Sequence, residues 1–376
     1  MAITGNKVVL NLAGADNMKH VEPDDFIIHL RSFQGGIEHS RYSGKVSNAY
    51  TVLAPMPGLD PRYFRWVLKA PGFIQELNHT TEQLRDGQSI KFDQFAKIGL
   101  PLPPPEEQRR IADFLDDQVA LIGETAAKCH RQIELMRELA LARIDEMVTG
   151  TYGPPRPGSS GPQSRNSAPV RRRIRLKHLA AIPITNGLGL PGEHDDPDWP
   201  RYIRTTDIAS PVKLRTDTFA SQPPYLAQAA MVRQGDILMT AAGATIGKSI
   251  RLTEAIRACY AGFLVRFRPN EKVDGRFISL WMQSSDYWSQ VDRGAVRSTI
   301  DNFSASKYRN LLVPVPPLQE QISIADHLED WMGNVNQMTD KHLEQVQLLG
   351  QLRGSLITAA VTGDLDVTTA RRGTPA

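Results

Sequence analysis

The sequence has few cysteines and no long apolar run. Its 376 residues include two cysteines, Cys129 and Cys259, which are too few for a disulfide framework or a four-thiolate zinc site. The N-terminal stretch has no apolar signal core, and no later run is long enough to span a bilayer. The histidines and cysteines show no spacing typical of a metal site. We therefore expect a soluble, cytoplasmic protein that has no metal site or bound cofactor of its own.

The sequence also has little excess charge of either sign. Lys and Arg number 44 against 41 Asp and Glu, which gives a formal net charge of +3. This balance neither requires nor excludes nucleic acid, because binding depends on a local basic face. A hydrophobic content of 41% and a mean hydropathy of -0.33 exclude a mostly disordered chain and a membrane protein. The length suits two or three domains.

The most informative feature of the sequence is a long internal repeat. The stretch PLPPPEEQRRIADFLDD from Pro101 returns as PVPPLQEQISIADHLED from Pro314, 213 residues later. The same register still holds where Val148-Thr149-Gly150 matches Val361-Thr362-Gly363. Such agreement over so long a segment indicates duplication of one structural unit. The alternative, two unrelated amphipathic helices, does not account for the shared register.

Each copy of the repeat predicts one long helix. The pairs Pro104-Pro105 and Pro316-Pro317 favour helix starts, and Gly150 and Gly363 favour left-handed stops. Between these ends, apolar residues recur at alternating steps of four and three, which is the heptad pattern of a coiled coil. Four residues interrupt this seam: Arg143, Thr339, His342 and Arg353.

Upstream of each helix, strand-like and helix-like runs alternate as in a mixed α/β domain. The matching runs that begin at Asp60 and Asp274 each predict a short helix, and a flexible Gly/Pro/Ser-rich linker separates the halves. Residues 172–231 precede the repeated part in the second half, but only about twenty residues do so in the first. We therefore expect a first globular domain that is shortened at its start. The predicted segments are 1–103, 104–150, 151–171, 172–316, 317–363 and 364–376.

Three glycine- or proline-rich motifs resemble cofactor sites, and we interpret each as a loop. Gly187–Gly192 has the spacing of a nucleotide-binding turn, but Pro191 and the acidic residues after it cannot open a helix. The run 242–249 fits a permissive phosphate-loop pattern, yet its continuation predicts the return strand of a hairpin, with Lys248 at the tip. Gln222–Tyr225 predicts a proline-rich turn. No catalytic motif is left.

Together these residues resemble the DNA-specificity subunits of Type I restriction–modification systems. The duplicated segment and the run Asp236–Leu238 before the Gly243–Lys248 turn carry the resemblance. It implies an α+β chain with two mixed α/β target-recognition domains, each followed by a long helix, and an antiparallel coiled coil between the helices. Each domain would read half of a bipartite DNA target. Two methyltransferase subunits, with restriction or translocase subunits as further partners, would supply the chemistry and bind S-adenosylmethionine, ATP and Mg.

Candidate DNA-reading residues are those whose side chains match base edges or phosphates in the expected loops. In the second half they are Arg201, Tyr202, Arg204, Thr205, Thr206, Lys248, Arg297, Ser298, Thr299 and Asn302. In the first half they are Arg41, Tyr42, Ser43, Lys45, Arg85, Gln88, Ser89 and Lys91. The basic run 171–177 is interpreted as phosphate-facing or solvated. The resemblance places partner docking on the repeated segments, at Pro104, Glu107, Gln108, Ile111, Pro317, Glu320, Gln321 and Ile324.

Three functions remain open on the sequence alone. The favoured one is a non-catalytic subunit that directs a methyltransferase–restriction complex to DNA. The second is a truncated scaffold that docks methyltransferase subunits through its coiled coil and reads DNA poorly. The third, a stand-alone methyltransferase, requires S-adenosylmethionine binding by the isolated chain. For each candidate residue taken singly, the alternative is that it belongs to an ordinary solvated loop and does not contact DNA.

Overall fold

The computed structural model describes residues 18–29, 32–79, 92–150, 171–295 and 302–370. It divides into two compact units: the first contains residues 1–132 and 341–376, and the second contains residues 133–340. Each unit therefore includes one globular domain and one end of each long helix. Among the described helices, none combines the length and the apolar character that crossing a membrane requires.

The first unit is built from short strands and helices around one core. Its elements before the first long helix are β1 (Lys19–Val21), β2 (Phe26–Ile28), α1 (Ser32–Gly35), β3 (Glu38–His39), β4 (Gly44–Val46), β5 (Thr51–Leu53), α2 (Pro61–Val67), α3 (Pro71–His79) and α4 (Phe92–Phe95). Strands β3, β2 and β5 form one antiparallel sheet in that order, and β1 pairs with β4. The short helix predicted after Asp60 is confirmed.

The second unit contains the larger globular domain. Its short elements are β6 (Arg173–Arg175), β7 (Thr185–Asn186), β8 (Arg201–Ile203), β9 (Ile208–Ser210), β10 (Lys213–Leu214), α6 (Pro224–Ala227), β11 (Ile237–Thr240), β12 (Ser249–Arg251), β13 (Ala258–Tyr260), β14 (Leu264–Phe267), α7 (Gly275–Trp281), α8 (Ser285–Gly294), α9 (Ala305–Arg309) and β15 (Leu312–Pro314). Strands β12, β11, β14 and β7 form an antiparallel sheet in that order, and all four residues of β11 are buried. The parallel pair β8–β13 and the antiparallel pair β6–β15 complete the domain.

The two long helices each lie one residue inside the predicted segments 104–150 and 317–363. They are α5 (Pro105–Thr149) and α10 (Leu318–Thr362), each 45 residues long, and a short helix α11 (Val367–Ala370) follows the second. Gly150 and Gly363 each adopt a φ of 85° directly after the last helical residues, the left-handed conformation that glycine accepts without a Cβ clash. Both predicted stops are confirmed.

Within each unit the two helices pack in opposite directions. In the first unit, Ile111 and Leu115 near the start of α5 share a core with Ile357 and Val361 near the end of α10. In the second unit, the end of α5 packs against the start of α10. The residues buried together there are Ile144, Met147 and Val148 of α5 and Ile324, Ala325 and Leu328 of α10. The helix ends thereby belong to the cores of the globular domains, which agrees with the predicted antiparallel pairing.

Neither glycine-containing motif is a nucleotide-binding turn. The run 187–192 follows β7 and contains no helix, and a Cβ at Gly187 would lie 2.1 Å from the Tyr260 carbonyl oxygen. Strands β11 and β12 pair antiparallel on either side of the phosphate-loop pattern, with Met239 opposite Ser249. That pattern is a hairpin turn, as predicted. The third motif, the predicted turn at Gln222–Tyr225, runs into the short helix α6, which begins at Pro224.

Candidate nucleic-acid interface

The hairpin turn of the second unit, residues 241–248, is held from inside by two buried tyrosines. The Tyr287 hydroxyl donates to the Gly247 carbonyl at 2.7 Å, and the Tyr308 hydroxyl donates to the Thr240 carbonyl at 2.7 Å. Both side chains are fully buried, and this burial raises the pKa of each phenol, so both remain protonated donors. We call residues 241–248 the recognition turn. Its outer residue Lys248 is exposed, as the sequence predicts.

A second segment of the chain lies beside the recognition turn. The Phe303 amide donates to the Ala241 carbonyl at 2.8 Å, and Asn302 forms a bridge with Ala242. Asn302 is exposed, and its carbonyl accepts a hydrogen bond from the Lys307 ammonium at 3.3 Å. The structure thus brings together Asn302 and the recognition turn that carries Lys248, although they are far apart in the sequence.

Two basic residues outside the predicted set line a cavity beside Phe303. They are Arg293 and Lys307, which line this cavity of about 410 Å³ together with Phe303 and Asn310. Each lies in the last turn of a short helix, α8 and α9 respectively. Basic residues at helix ends are common for reasons of helix electrostatics alone, so neither residue stands out in the amino-acid pattern. Arg297, Ser298 and Thr299, the other candidates of this region, lie outside the described residues.

Tyr202 is a core residue, which corrects its assignment as a base reader. Its side chain is 2% exposed, and its hydroxyl lies 2.6 Å from the Leu188 carbonyl and 2.9 Å from the Leu190 carbonyl. Its neighbour Arg201 is also engaged internally, because one guanidinium nitrogen donates to the Arg215 carbonyl at 2.7 Å. A base contact through Tyr202 would require opening the domain core.

Arg204 is held in an ion pair. Its guanidinium donates to both oxygens of Asp207 at 3.1 Å, and Thr218 donates to the same carboxylate at 2.7 Å. Burial alone would raise the pKa of Asp207, but the hydrogen bonds from Arg204 and Thr218 outweigh it and hold that pKa below its ordinary value. The carboxylate therefore stays charged and fixes Arg204. Thr205 is half-buried, and Thr206 is exposed.

In the first unit, four of the candidate residues lie on one exposed loop. Arg41, Tyr42, Ser43 and Lys45 follow β3 and enter β4, and all four are exposed. The Ser43 hydroxyl donates to Glu22 at 2.8 Å. We call residues 41–45 the first-unit loop. The other first-half candidates, Arg85, Gln88, Ser89 and Lys91, lie outside the described residues.

The repeated glutamines are internal anchors and not exposed docking residues. In the first unit, Gln108 is 1% exposed; its side-chain oxygen accepts from the Asp60 amide at 2.9 Å, and its nitrogen donates to the Pro103 carbonyl at 2.8 Å. Asp60 is the N-cap of α2. Gln108 therefore ties the start of α5 to the start of a helix in the globular domain.

The second unit contains the same arrangement. Gln321 is fully buried; it accepts from the Asp274 amide at 3.0 Å and donates to the Pro316 carbonyl at 2.8 Å. A longer contact of 3.3 Å reaches the Lys272 carbonyl. Asp274 caps α7 as Asp60 caps α2. An arginine two residues after each cap adds an ion pair to the long helix: Arg62 with Asp113 at 2.8 Å and Arg276 with Asp326 at 2.6 Å.

The remaining docking candidates divide by burial. Ile111 and Ile324 are 3% and 0% exposed, so both belong to the cores and are corrected as docking residues. Pro104 and Pro317 are exposed at the helix starts, and Glu107 is half-buried. These three stay available at the surface.

Glu320 has a partner inside the second unit. It accepts from the Arg171 guanidinium at 2.6 Å, and the same guanidinium donates to the Met147 and Val148 carbonyls at 2.5 and 2.6 Å. The Arg171 side chain is only 6% exposed. Burial lowers the pKa of Arg171, whereas the charge of Glu320 opposes that effect. Arg171 thus satisfies carbonyls at the end of α5, and its interpretation as phosphate-facing or solvated is wrong.

No group of three His, Cys, Asp or Glu side chains within the described ranges could hold a metal ion. Cys259 and Cys129 are both buried and free, and burial raises the pKa of the Cys259 thiol to about 11. A thiol with that pKa carries almost no thiolate near neutral pH.

Comparison with known proteins agrees with these features. The model of the Type I restriction modification DNA specificity domain matches residues 2–134 and 218–348. The specificity subunit of the Type I restriction enzyme EcoDI from Escherichia coli is 22% identical over 365 residues, covering 89% of this chain and 77% of the relative. The specificity subunit of EcoBI from Escherichia coli is 23% identical over 328 residues, covering 81% and 65% of the two chains.

Solved structures show the same fold. A chain from a structure on complex assembly and conformational transition of the type I R-M system superimposes with a TM-score of 0.69 at 17% identity, covering 92% of this chain and 84% of the other. The HsdS subunit from Thermoanaerobacter tengcongensis gives a TM-score of 0.51 at 18% identity, covering 92% and 83%. With its two matched domains and duplicated domain–helix units, the chain belongs to the family of Type I restriction–modification DNA-specificity subunits.

Proposed function

We propose that this chain recognises one bipartite DNA sequence and directs a Type I methyltransferase–restriction complex to it, without catalysing a reaction itself. The observation that carries the proposal is the surface around the recognition turn. There, exposed Lys248 and Asn302 lie on a backbone held from inside by buried tyrosines. Base reading needs polar side chains on a rigid support, since discrimination depends on hydrogen-bond geometry. Family membership supports a role in DNA target recognition.

The bipartite character of the target is part of the proposal. Each unit has its own globular domain, and the first-unit loop gives that domain an exposed set of arginine, tyrosine, serine and lysine side chains. Both domains are joined to a long helix by the same glutamine anchor. Two readers attached in the same way suit a target with two half-sites, because each half-site can then be read in a defined orientation.

The chemistry would come from partner subunits. We propose that two methyltransferase subunits dock near the exposed helix starts at Pro104 and Pro317. Half-buried Glu107 would lie at the edge of the docking surface around Pro104. S-adenosylmethionine would be bound by those subunits, and ATP and Mg by the restriction or translocase subunits. The duplicated anchor supports two equivalent docking surfaces, since the same local structure recurs in each unit.

The test is to express the chain with its methyltransferase partner and map methylated adenines along the host DNA. We expect a single asymmetric motif with two specified halves separated by a spacer of unspecified bases. Lys248→Gln should weaken or alter modification at positions within one half only. Lys272→Gln is the matched control, since Lys272 is an exposed lysine of the same unit. Complete absence of a modified motif with both subunits present would contradict the proposal.

A further inference from the structure

A basic cleft in the first unit has no assigned role. Its volume is about 730 Å³. Four cationic side chains and one carboxylate are among the residues that line it: Arg41, Arg65, Lys69, Arg353 and Asp116. Arg41 belongs to the first-unit loop, whereas Arg353 comes from the long helix α10. The cleft thus combines a proposed DNA-reading loop with a residue of the coiled coil.

Two of the four cations are neutralised within the protein. Arg65 forms an ion pair with Asp116 and stacks over Trp66 at 4.7 Å. The Lys69 ammonium contacts Glu38 at 2.5 Å and the Gly35 carbonyl at 2.9 Å. The tryptophan nitrogen also donates to Asp116, at 2.8 Å. These contacts fix one wall of the cleft in a single arrangement.

The other two cations carry the excess charge. Arg41 and Arg353 are both exposed, and neither guanidinium group has a hydrogen bond or ion pair with any residue that the structure describes. Two guanidinium groups line one cleft, and neither is paired with a carboxylate. The cleft therefore favours the binding of an anion. A phosphate suits them well, because the planar guanidinium donates two parallel hydrogen bonds to its oxygens.

The shared architecture of the two units does not need these cations. When the two domains are aligned by their helix caps, Asp60 and Asp274, Arg65 corresponds to Ser279 and Lys69 to Gln283. In the register of the long helices, which is 213 residues, Arg353 corresponds to Ala140. Ser279 and Ala140 are buried in the second unit. Because the second unit folds around the same anchor without these charges, their presence in the first unit points to a ligand and not to a folding requirement.

We propose that this cleft binds a phosphate of the DNA backbone, with Arg353 and Arg41 as its direct contacts and Arg65 and Trp66 as its ordered wall. The inference rests on the proposed function, since it requires DNA next to the first-unit loop. A phosphate held there fixes the position of the duplex relative to that loop without reading a base. The coiled-coil helix would thereby contact the nucleic acid, in addition to joining the two domains.

The experiment measures how salt affects binding of the full chain to two labelled mixed-sequence duplexes of roughly three helical turns. A contact to a backbone phosphate releases counterions, so losing one contact makes the negative slope of log K against log salt shallower by about 0.9. We expect Arg353→Gln and Arg41→Gln each to make the slope shallower by about that amount, equally on both duplexes. Arg137→Gln is the matched control: it removes the same charge from an exposed position on a long helix but does not line the cleft.

The outcomes separate this inference from the proposed function. If wild-type binding is intact and Arg353→Gln and Arg41→Gln behave like Arg137→Gln, the phosphate contact is refuted and DNA recognition stands. Calorimetric binding of inorganic pyrophosphate that is lost in Arg353→Gln, with an unchanged duplex slope, would also overturn it, because the cleft would then hold a free anion. If the wild-type chain binds neither duplex, both the inference and the proposed function fail.

Discussion

Replacing Gln321 with leucine tests the anchor between the second long helix and its globular domain. The buried amide makes three contacts, to the Asp274 amide at 3.0 Å, the Pro316 carbonyl at 2.8 Å and the Lys272 carbonyl at 3.3 Å. Leucine has a similar volume but neither donates nor accepts a hydrogen bond. The variant would therefore leave one N–H group and two carbonyls without their partner in a region that excludes water.

The expected loss follows from these three contacts. A buried group left without its hydrogen-bond partner costs about 1–3 kcal/mol. The two short contacts of Gln321 account for most of the effect, and the 3.3 Å contact adds little. We therefore expect Gln321→Leu to lower the free energy of unfolding of the second unit by about 2–5 kcal/mol. Gln108→Leu removes only two contacts and should cost somewhat less in the first unit.

Urea denaturation and amide hydrogen exchange measure this effect. Gln351→Leu is the control, because Gln351 is an exposed residue of α10 and should change stability by less than about 0.5 kcal/mol. Exchange of the Asp274 amide should accelerate in Gln321→Leu, and exchange of the Asp60 amide in Gln108→Leu. If Gln321→Leu unfolds at the same urea concentration as Gln351→Leu, with the Asp274 amide still protected, the anchor does not stabilise the domain.

Four further results are expected. Tyr308→Phe should lower the free energy of unfolding by about 1–3 kcal/mol, because it leaves a buried carbonyl unpaired. It should also reduce discrimination between specific and random DNA more than it reduces non-specific affinity. Equal losses of both would contradict a role in ordering the recognition turn. Gly247→Ala should destabilise the chain more than Gly243→Ala in thermal unfolding, since both glycines have positive φ but only the first would place its Cβ 2.6 Å from the Trp288 ring. Cys259 should resist alkylation at pH 8 until the chain is unfolded, because the pKa of its thiol is about 11. The lowered pKa of the Asp207 carboxyl adds stability that is complete above the ordinary pKa of 3.8 and is lost as the pH falls through the folded-state pKa. The free energy of unfolding, measured between pH 5 and pH 3, should therefore fall more steeply in wild type than in Asp207→Asn.

The sequence predicted the features that depend on local chemistry and on the repeat. Proline at the helix starts and glycine at the stops act on their own backbone, so the bounds of α5 and α10 followed directly. The hairpin at 241–248 followed from the strand-like alternation of polar and apolar residues after Lys248. These elements need no knowledge of which other segment packs against them.

The sequence could not say which way polar side chains point. Gln108 and Gln321 stand out because they are repeated, but repetition is equally expected of an internal anchor and of a docking surface. Tyr202 has a chemistry suited to base stacking, yet the parallel pairing of β8 with β13 places it in the core. Arg171 begins a basic run but turns inward to carbonyls at the end of α5. Each of these outcomes depends on long-range packing.

The support beneath the recognition turn has a consequence for how specificity can change. Tyr287 and Tyr308 bind main-chain carbonyls of the turn and its adjoining strand, and such carbonyls are present whatever side chain a position carries. Apart from Gly247, whose lack of a Cβ accommodates the Trp288 ring, turn residues can be exchanged without removing either support. If residues 241–248 read DNA as proposed, new target preferences can arise by substitution on the outer face of the turn while its internal support is unchanged.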